Sequence, residues 1–231
     1  TAPGRGETSV AVSNFLVGQG ISVQQKLFDS VDPNTEAFVK SIQKANVQSI
    51  LFFVSNPDLR NMLLTAFRLN LIHEGFALIT VDSLTEQAEQ RNEAAAAMHG
   101  LLVYSFAPRP PSASYSAFLE THRILTKQMF GVDAPDTASP YLGPTYDAVY
   151  LYAHALGLAV QQNIDYRDGR EMMKMLTQVS TDSLGVPLEV DANGDRILDF
   201  ALYNWVDGKL VHVAAFSRQT EEYTFLQPIV W

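Results

Sequence analysis

The chain has 231 residues, 47% of them apolar and 18% charged, and 16 basic against 25 acidic side chains give a formal net charge of −9. That length suits one large domain or two small ones, and the acidic balance argues against nucleic acid or an anionic membrane surface as partner. The absence of cysteine excludes disulfides, thiol catalysis and cysteine-ligated metals, and no Asn-x-Ser/Thr glycosylation acceptor occurs.

No apolar run approaches the about 18 residues of a membrane span, and the first residues show no signal-peptide core, so the expectation is a soluble piece. Glu7 to Phe15 reads as a short helix, and Gly18-Gln19-Gly20 as a turn. Ile21 to Phe28 reads as a strand. Asp32-Pro33-Asn34-Thr35 starts a helix whose buried face is Phe38, Val39 and Ile42.

Ser49 to Val54 carries no charge and does not alternate apolar with polar, the pattern of a parallel strand covered on both faces. Fully burying Ile50 to Val54 is worth roughly 8–15 kcal/mol, comparable to a whole domain's net stability, so this strand is expected at the sheet centre. Asn56-Pro57 ends it, and Leu59, Met62, Leu63, Ala66 and Phe67 recur at helical spacing. Phe76 to Val81 is a second buried strand, Glu86 to Ala97 a helix and Gly100 to Tyr104 a third strand. Alternation of this kind implies parallel β-α-β units with right-handed crossovers.

Phe106 to Pro111 is a stiff, proline-rich connector. From Ser112 to about Val179 the pattern is helical, with apolar stripes at Tyr115, Phe118, Leu119, His122, Leu125 and Met129, then at Ala148, Leu151, Tyr152, Ala155, Leu156 and Ala159, then at Met172, Met175 and Leu176. Three one-sided helices without a sheet expose more apolar surface than a monomer tolerates, so the strands they cover are expected to precede residue 1. Val186 to Val190, Ile197 to Trp205 and Leu210 to Phe216, joined at Asn193-Gly194 and Asp207-Gly208, read as antiparallel hairpins.

No phosphate loop, dinucleotide fingerprint, nucleophile elbow or zinc helix is present. Asp191, Asn193 and Asp195 look like the start of a calcium loop, but Gly194 is misplaced and Leu202 stands where a bidentate Glu is required, so a hairpin turn is expected. Histidines 73, 99, 122, 154 and 212 show no ligand spacing. Asp147 reads as a first-turn helix residue. No nucleophile, base and orienting acid are grouped, so the chain reads as a protein without catalysis of its own and without cofactor or metal.

Polar loops at strand ends remain: Ser55 with Asn56, Asp82 with Ser83, and Ser105 to Arg109, with Tyr146 opening the second long helix. Such groups at the mouth of a sheet suit a small polar ligand in a cleft between lobes. For Ser83 and Asn56 capping of the following helix competes with that reading.

Leu63-Leu64 and Ala66 with Asp82-Ser83, Tyr146 to Tyr152 with Ala155-Leu156, Asp168-Gly169, Val190 to Arg196 with Asp199 to Leu202, and Ile229 to Trp231 together resemble the receptor family ligand-binding region. Within it the chain is most similar to ectodomains of membrane guanylyl cyclases and natriuretic peptide receptors. The resemblance implies a two-lobed α/β fold of the type I periplasmic-binding-protein kind, a parallel sheet flanked by helices, with the first half of one lobe absent. Residues 1–105 and 184–231 would form the membrane-proximal-type lobe and 106–183 the helical part of the other. It further implies a small-molecule or peptide ligand, a homodimer, an extracellular or periplasmic setting, and membrane linkage only through segments outside these residues. The site residues expected on this reading are Ser55, Asn56, Asp82, Ser83, Arg109 and Tyr146. Such receptors usually carry disulfides and glycans, which this sequence does not support. A soluble binding protein for amino acids is the alternative.

Overall fold

The computed structural model describes residues 5–29, 34–45, 47–71, 77–81, 92–134, 138–139 and 141–231. The chain divides into two compact units, the first comprising Thr1–Ser105, Ala201–Ala215 and Tyr223–Trp231, the second Phe106–Phe200 and Phe216–Glu222. Residues 184–200, which the sequence reading groups with the first lobe, cluster with the second unit.

The first unit begins with helices α1 (Arg5–Gly18) and α2 (Thr35–Gln43), then alternates β1 (Ser49–Phe52), α3 (Asn56–Arg68), β2 (Ala77–Thr80), α4 (Asn92–Ala97) and β3 (Leu102–Phe106). β1 to β3 are parallel, in register from Ser49 opposite Ala77 to Phe52 opposite Thr80, and then Ile79 opposite Leu102. Three later strands complete a mixed six-stranded sheet in the order β1-β2-β3-β6-β7-β8: β6 (Phe200–Val206), β7 (Lys209–Ser217) and β8 (Glu222–Phe225). The β6–β7 turn has φ of 50° at Asp207 and 78° at Gly208, the pair of positive angles that a twisted two-residue hairpin requires. Leu59, Met62 and Leu63 of α3, Ala94 and Ala97 of α4, and Leu78, Val103 and Trp205 of the sheet form one core, so the apolar spacing of both helices is explained by what they cover.

Two expectations fail here. Among the described residues β1 is an edge strand, and its Leu51 is 38% exposed, while β3 and β6 occupy the middle. Of Ile50 to Val54, expected to be fully buried, only Phe52 is, because composition does not distinguish edge from centre and strand order is set by tertiary pairing. Ile21 to Phe28 forms no strand; Ile21 and Leu27 are exposed, so this alternation has no face to bury.

The carboxyl-terminal residues lie along the first unit. Val230 N donates to the buried Asn204 Oδ1 at 2.7 Å, and Leu226 N to Val213 O at 2.8 Å. Gly100, at φ 81°, lets this segment pass, since a Cβ there would lie 3.3 Å from the Trp231 main chain.

The second unit holds α5 (Ala113–Phe130), α6 (Leu142–Gln161), α7 (Gly169–Leu176) and a hairpin of β4 (Thr181–Ser183) and β5 (Val186–Leu188), of which the sequence reading anticipated β5 as a strand but not its pairing with β4. Leu184 at φ 51° and Gly185 at φ 83° make its turn. Leu151, Ala155 and Ala159 recur every four residues on α6 and pack with Met172 and Met175 of α7, Val179 and Leu188. Ser112 and Asp168 cap α5 and α7, accepting from Tyr115 N at 3.1 Å and Arg170 N at 2.9 Å. The stripe expected on α5 is not buried: that helix has no buried residue, and Leu125 and Met129 are exposed.

Candidate functional site

Ser55 and Asn56 stand after β1, at the start of α3. Ser55 is the N-cap, with Oγ accepting from Asp58 N at 3.3 Å and donating to Asp58 Oδ2 at 2.6 Å. This reciprocal cap, with Pro57 in the first turn, explains the abrupt passage from strand to helix. Asn56 is the first residue of α3 and partly buried. Asp82 and Ser83 lie outside the described residues. Among the described residues, an open cavity of about 460 Å³ on the first unit is lined by Ala95, Ala96, His99, Asp207 and Gly208, and not by Ser55, Asn56, Arg109 or Tyr146.

In the second unit the polar groups converge on Asp147, which is fully buried. It lies in the second turn of α6, not the first, and no acidic residue occupies the first turn. Asp147 Oδ2 meets Arg109 Nη2 and Arg196 Nη1, and Oδ1 accepts from the Ser183 hydroxyl. Arg109 Nη1 also donates to Ser183 O at 2.8 Å, and its guanidinium lies 5.9 Å from the Tyr115 ring centre. Arg196 Nη2 donates to Pro187 O at 3.3 Å. Burial pushes both arginine pKa values down; for Arg196, to which the Arg109 charge contributes as a second cause, it reaches about 10. Gly143, one turn before Asp147, makes the packing possible, since a Cβ there would collide with Arg109 Nε.

The Arg109 guanidinium, expected at the ligand, is engaged by Asp147 and Ser183. Tyr146 is 38% exposed and stands in a row of rings from Tyr115 through Phe118, Tyr146 and Tyr150 to His154, with successive centres 4.5–6.2 Å apart. Sequence reasoning missed Arg196 and Ser183 and misread Asp147. One signal was available: in the twenty residues of α6, Asp147 is the sole Asp, Glu, Lys or Arg, and a lone charge in an apolar helix asks for a partner. The Asp191 loop is a turn: Asp191 Oδ1 accepts from Asn193 N at 2.9 Å and Asp195 N at 3.0 Å.

The family described as receptor family ligand binding region matches residues 16–208. The chain belongs to this family. Its similarity to individual proteins is low. It is 24% identical over 217 residues to a receptor-type guanylate cyclase of Caenorhabditis elegans, covering 85% of this chain and 17% of that protein. It is 21% identical over 211 residues to atrial natriuretic peptide receptor 3 of Homo sapiens, covering 87% of this chain and 38% of that receptor. With guanylate cyclase 2G of Rattus norvegicus it shares 32% identity over 74 residues, 31% of this chain and 7% of that protein. The chain thus spans well under half the length of these relatives. Among the described residues no helix is long and apolar enough to cross a membrane.

Proposed function

We propose that this chain is the ligand-sensing part of an extracellular receptor resembling those of receptor guanylyl cyclases. It takes a small-molecule or peptide ligand in or beside a cleft between two lobes and signals by rearrangement of lobes or of a homodimer. Residues 1–105 and 184–231 serve as the membrane-proximal-type lobe, and residues 106–183 belong to the other, completed by an amino-terminal segment. The chain itself performs no catalysis. The observation that carries this reading is the family match over residues 16–208, which runs through both compact units.

Ligand contact falls to Ser55, Asn56, Asp82, Ser83 and Tyr146. Arg109 holds the connector through Asp147. The test is a thermal-shift screen of peptides and small polar metabolites against the whole chain, followed by titration of any stabilising compound into Asn56→Ala and Asp82→Ala. Weakened binding with an unchanged melting temperature is expected. Unchanged affinity in both variants moves the ligand away from the strand-end loops, and stabilisation by free amino acids alone favours a solute-binding protein.

A further inference from the structure

Two guanidinium groups share the Asp147 carboxylate, and they are not held equally. Arg109 makes two aligned hydrogen bonds, to Asp147 Oδ2 and to Ser183 O, and its side chain is 9% exposed. Arg196 meets Asp147 Oδ2 through Nη1, and its buried Nε has no hydrogen-bond partner among the described residues. The hydrogen bond from its guanidinium to Pro187 O is long at 3.3 Å, and its side chain is 14% exposed.

The segment that carries Arg196 is tied at its two ends, by Ser180 Oγ to Glu189 Oε1 at 3.0 Å and by Ala107 N to Asp199 O at 3.0 Å and Arg218 N to Asp199 Oδ1 at 2.9 Å, and is closed on itself between them. Asp191 N donates to Asp195 O at 2.8 Å, Ile197 N to Glu189 O at 3.1 Å, and Val190 bridges to Arg196. Gly194 rests near Met173, where a Cβ would lie 2.9 Å from Sδ. Such a segment keeps most of its own bonds when it moves as one piece.

We propose that residues 189–199 form a releasable strap whose catch is Arg196 on Asp147, with Arg109 as the counter-ion that remains when the strap lifts. The charges favour this order. With Arg196 withdrawn to water, Asp147 and Arg109 form a neutral one-to-one pair and no buried charge stands alone. Withdrawal of Arg109 instead breaks two aligned bonds and leaves Ser183 O without that donor. The strap goes beyond the ligand-sensing reading and stands without it.

Native-state hydrogen exchange of the whole chain tests it. Amides of residues 190–199 should exchange at least about tenfold faster than the Arg109 amide and those of the second turn of α6. Arg196→Gln should speed exchange in the strap and leave the thermal midpoint nearly unchanged, whereas Arg109→Gln should lower the midpoint. Equal exchange in strap and connector overturns the proposal, as does an equal loss of midpoint in the two variants. Should Arg109→Gln fail to fold, the exchange pattern of the unaltered chain decides alone.

Discussion

The two units of this chain are held internally by different physics. In the first, side chains such as Leu59, Leu63, Val103 and Trp205 form a continuous apolar core between helices and sheet. In the second, the apolar cluster on α6 and α7 is smaller, and much of the joining is done by Asp147, which binds the connector, the β4–β5 hairpin and the Arg196 segment. An apolar core is non-directional and tolerates changes of shape. A buried ionic cluster is directional, and its failure is abrupt where a missing partner leaves a charge or polar group in a poor solvent.

The largest expected effect follows from that difference. Asp147→Asn keeps the shape but leaves two largely buried guanidinium groups without a counter-charge, which should cost about 3–5 kcal/mol. Urea unfolding followed by hydrogen exchange should show the loss in residues 106–200. A loss of under about 1 kcal/mol would mean that the cluster is solvated and that the contrast between the units is false.

Leu59→Ala is the matching change in the first unit. Leu59 is fully buried in the core, and removing its isobutyl group should cost about 2–5 kcal/mol, with protection lost in α3 and β1 to β3. Its exact cost depends on how far the core relaxes. The comparison is sharpened by a second change at each site: Leu59→Met should recover most of the loss, whereas Asp147→Glu should recover little. A longer carboxylate would have to fit where Gly143 already meets Arg109.

The same contrast explains what could be read from the sequence. The β-α alternation of the first unit was legible because apolar runs and helical spacing are local patterns, and Asp207-Gly208 announced its hairpin by turn chemistry. The position of β1 in the sheet was not legible, since edge and centre differ in pairing and not in composition. Asp147 was visible as a lone charge in α6, but its partners lie far along the chain: Arg109 is 38 residues away and Ser183 is 36. Nothing in local spacing joins them. For the same reason the strand-end loop at Ser55 was found as a polar loop, while the engagement of Arg109 by a buried carboxylate was not.

A smaller effect is expected where the first unit uses a directional bond of its own. Ser55→Ala removes the acceptor for Asp58 N at the start of α3, a cap worth about 1 kcal/mol. Ser55→Asp should retain capping but repel Asp58, so its thermal midpoint should lie below that of the parent. If Ser55→Ala leaves stability unchanged yet alters ligand response, Ser55 acts on ligand and the capping role is secondary.

The smallest effect at neutral pH comes from Tyr104, in β3. Burial first, then the charge and hydrogen bond of Tyr223, push its phenol up to about 12. The folded state therefore favours the neutral phenol relative to an unfolded chain, where tyrosine ionises near about 10. The sign follows: this contribution is intact below about pH 10 and is lost as pH rises through about 12. Ultraviolet titration of phenolate absorbance should show a late-ionising tyrosine that Tyr104→Phe removes, and Tyr223→Phe should move its ionisation toward the ordinary value. Tyr203, also raised by burial in the same unit, supplies the control, since it should titrate late in both variants. If the signal persisted in Tyr104→Phe at full amplitude, the tight packing assigned to β3 would have to be revised before that of the Asp147 cluster.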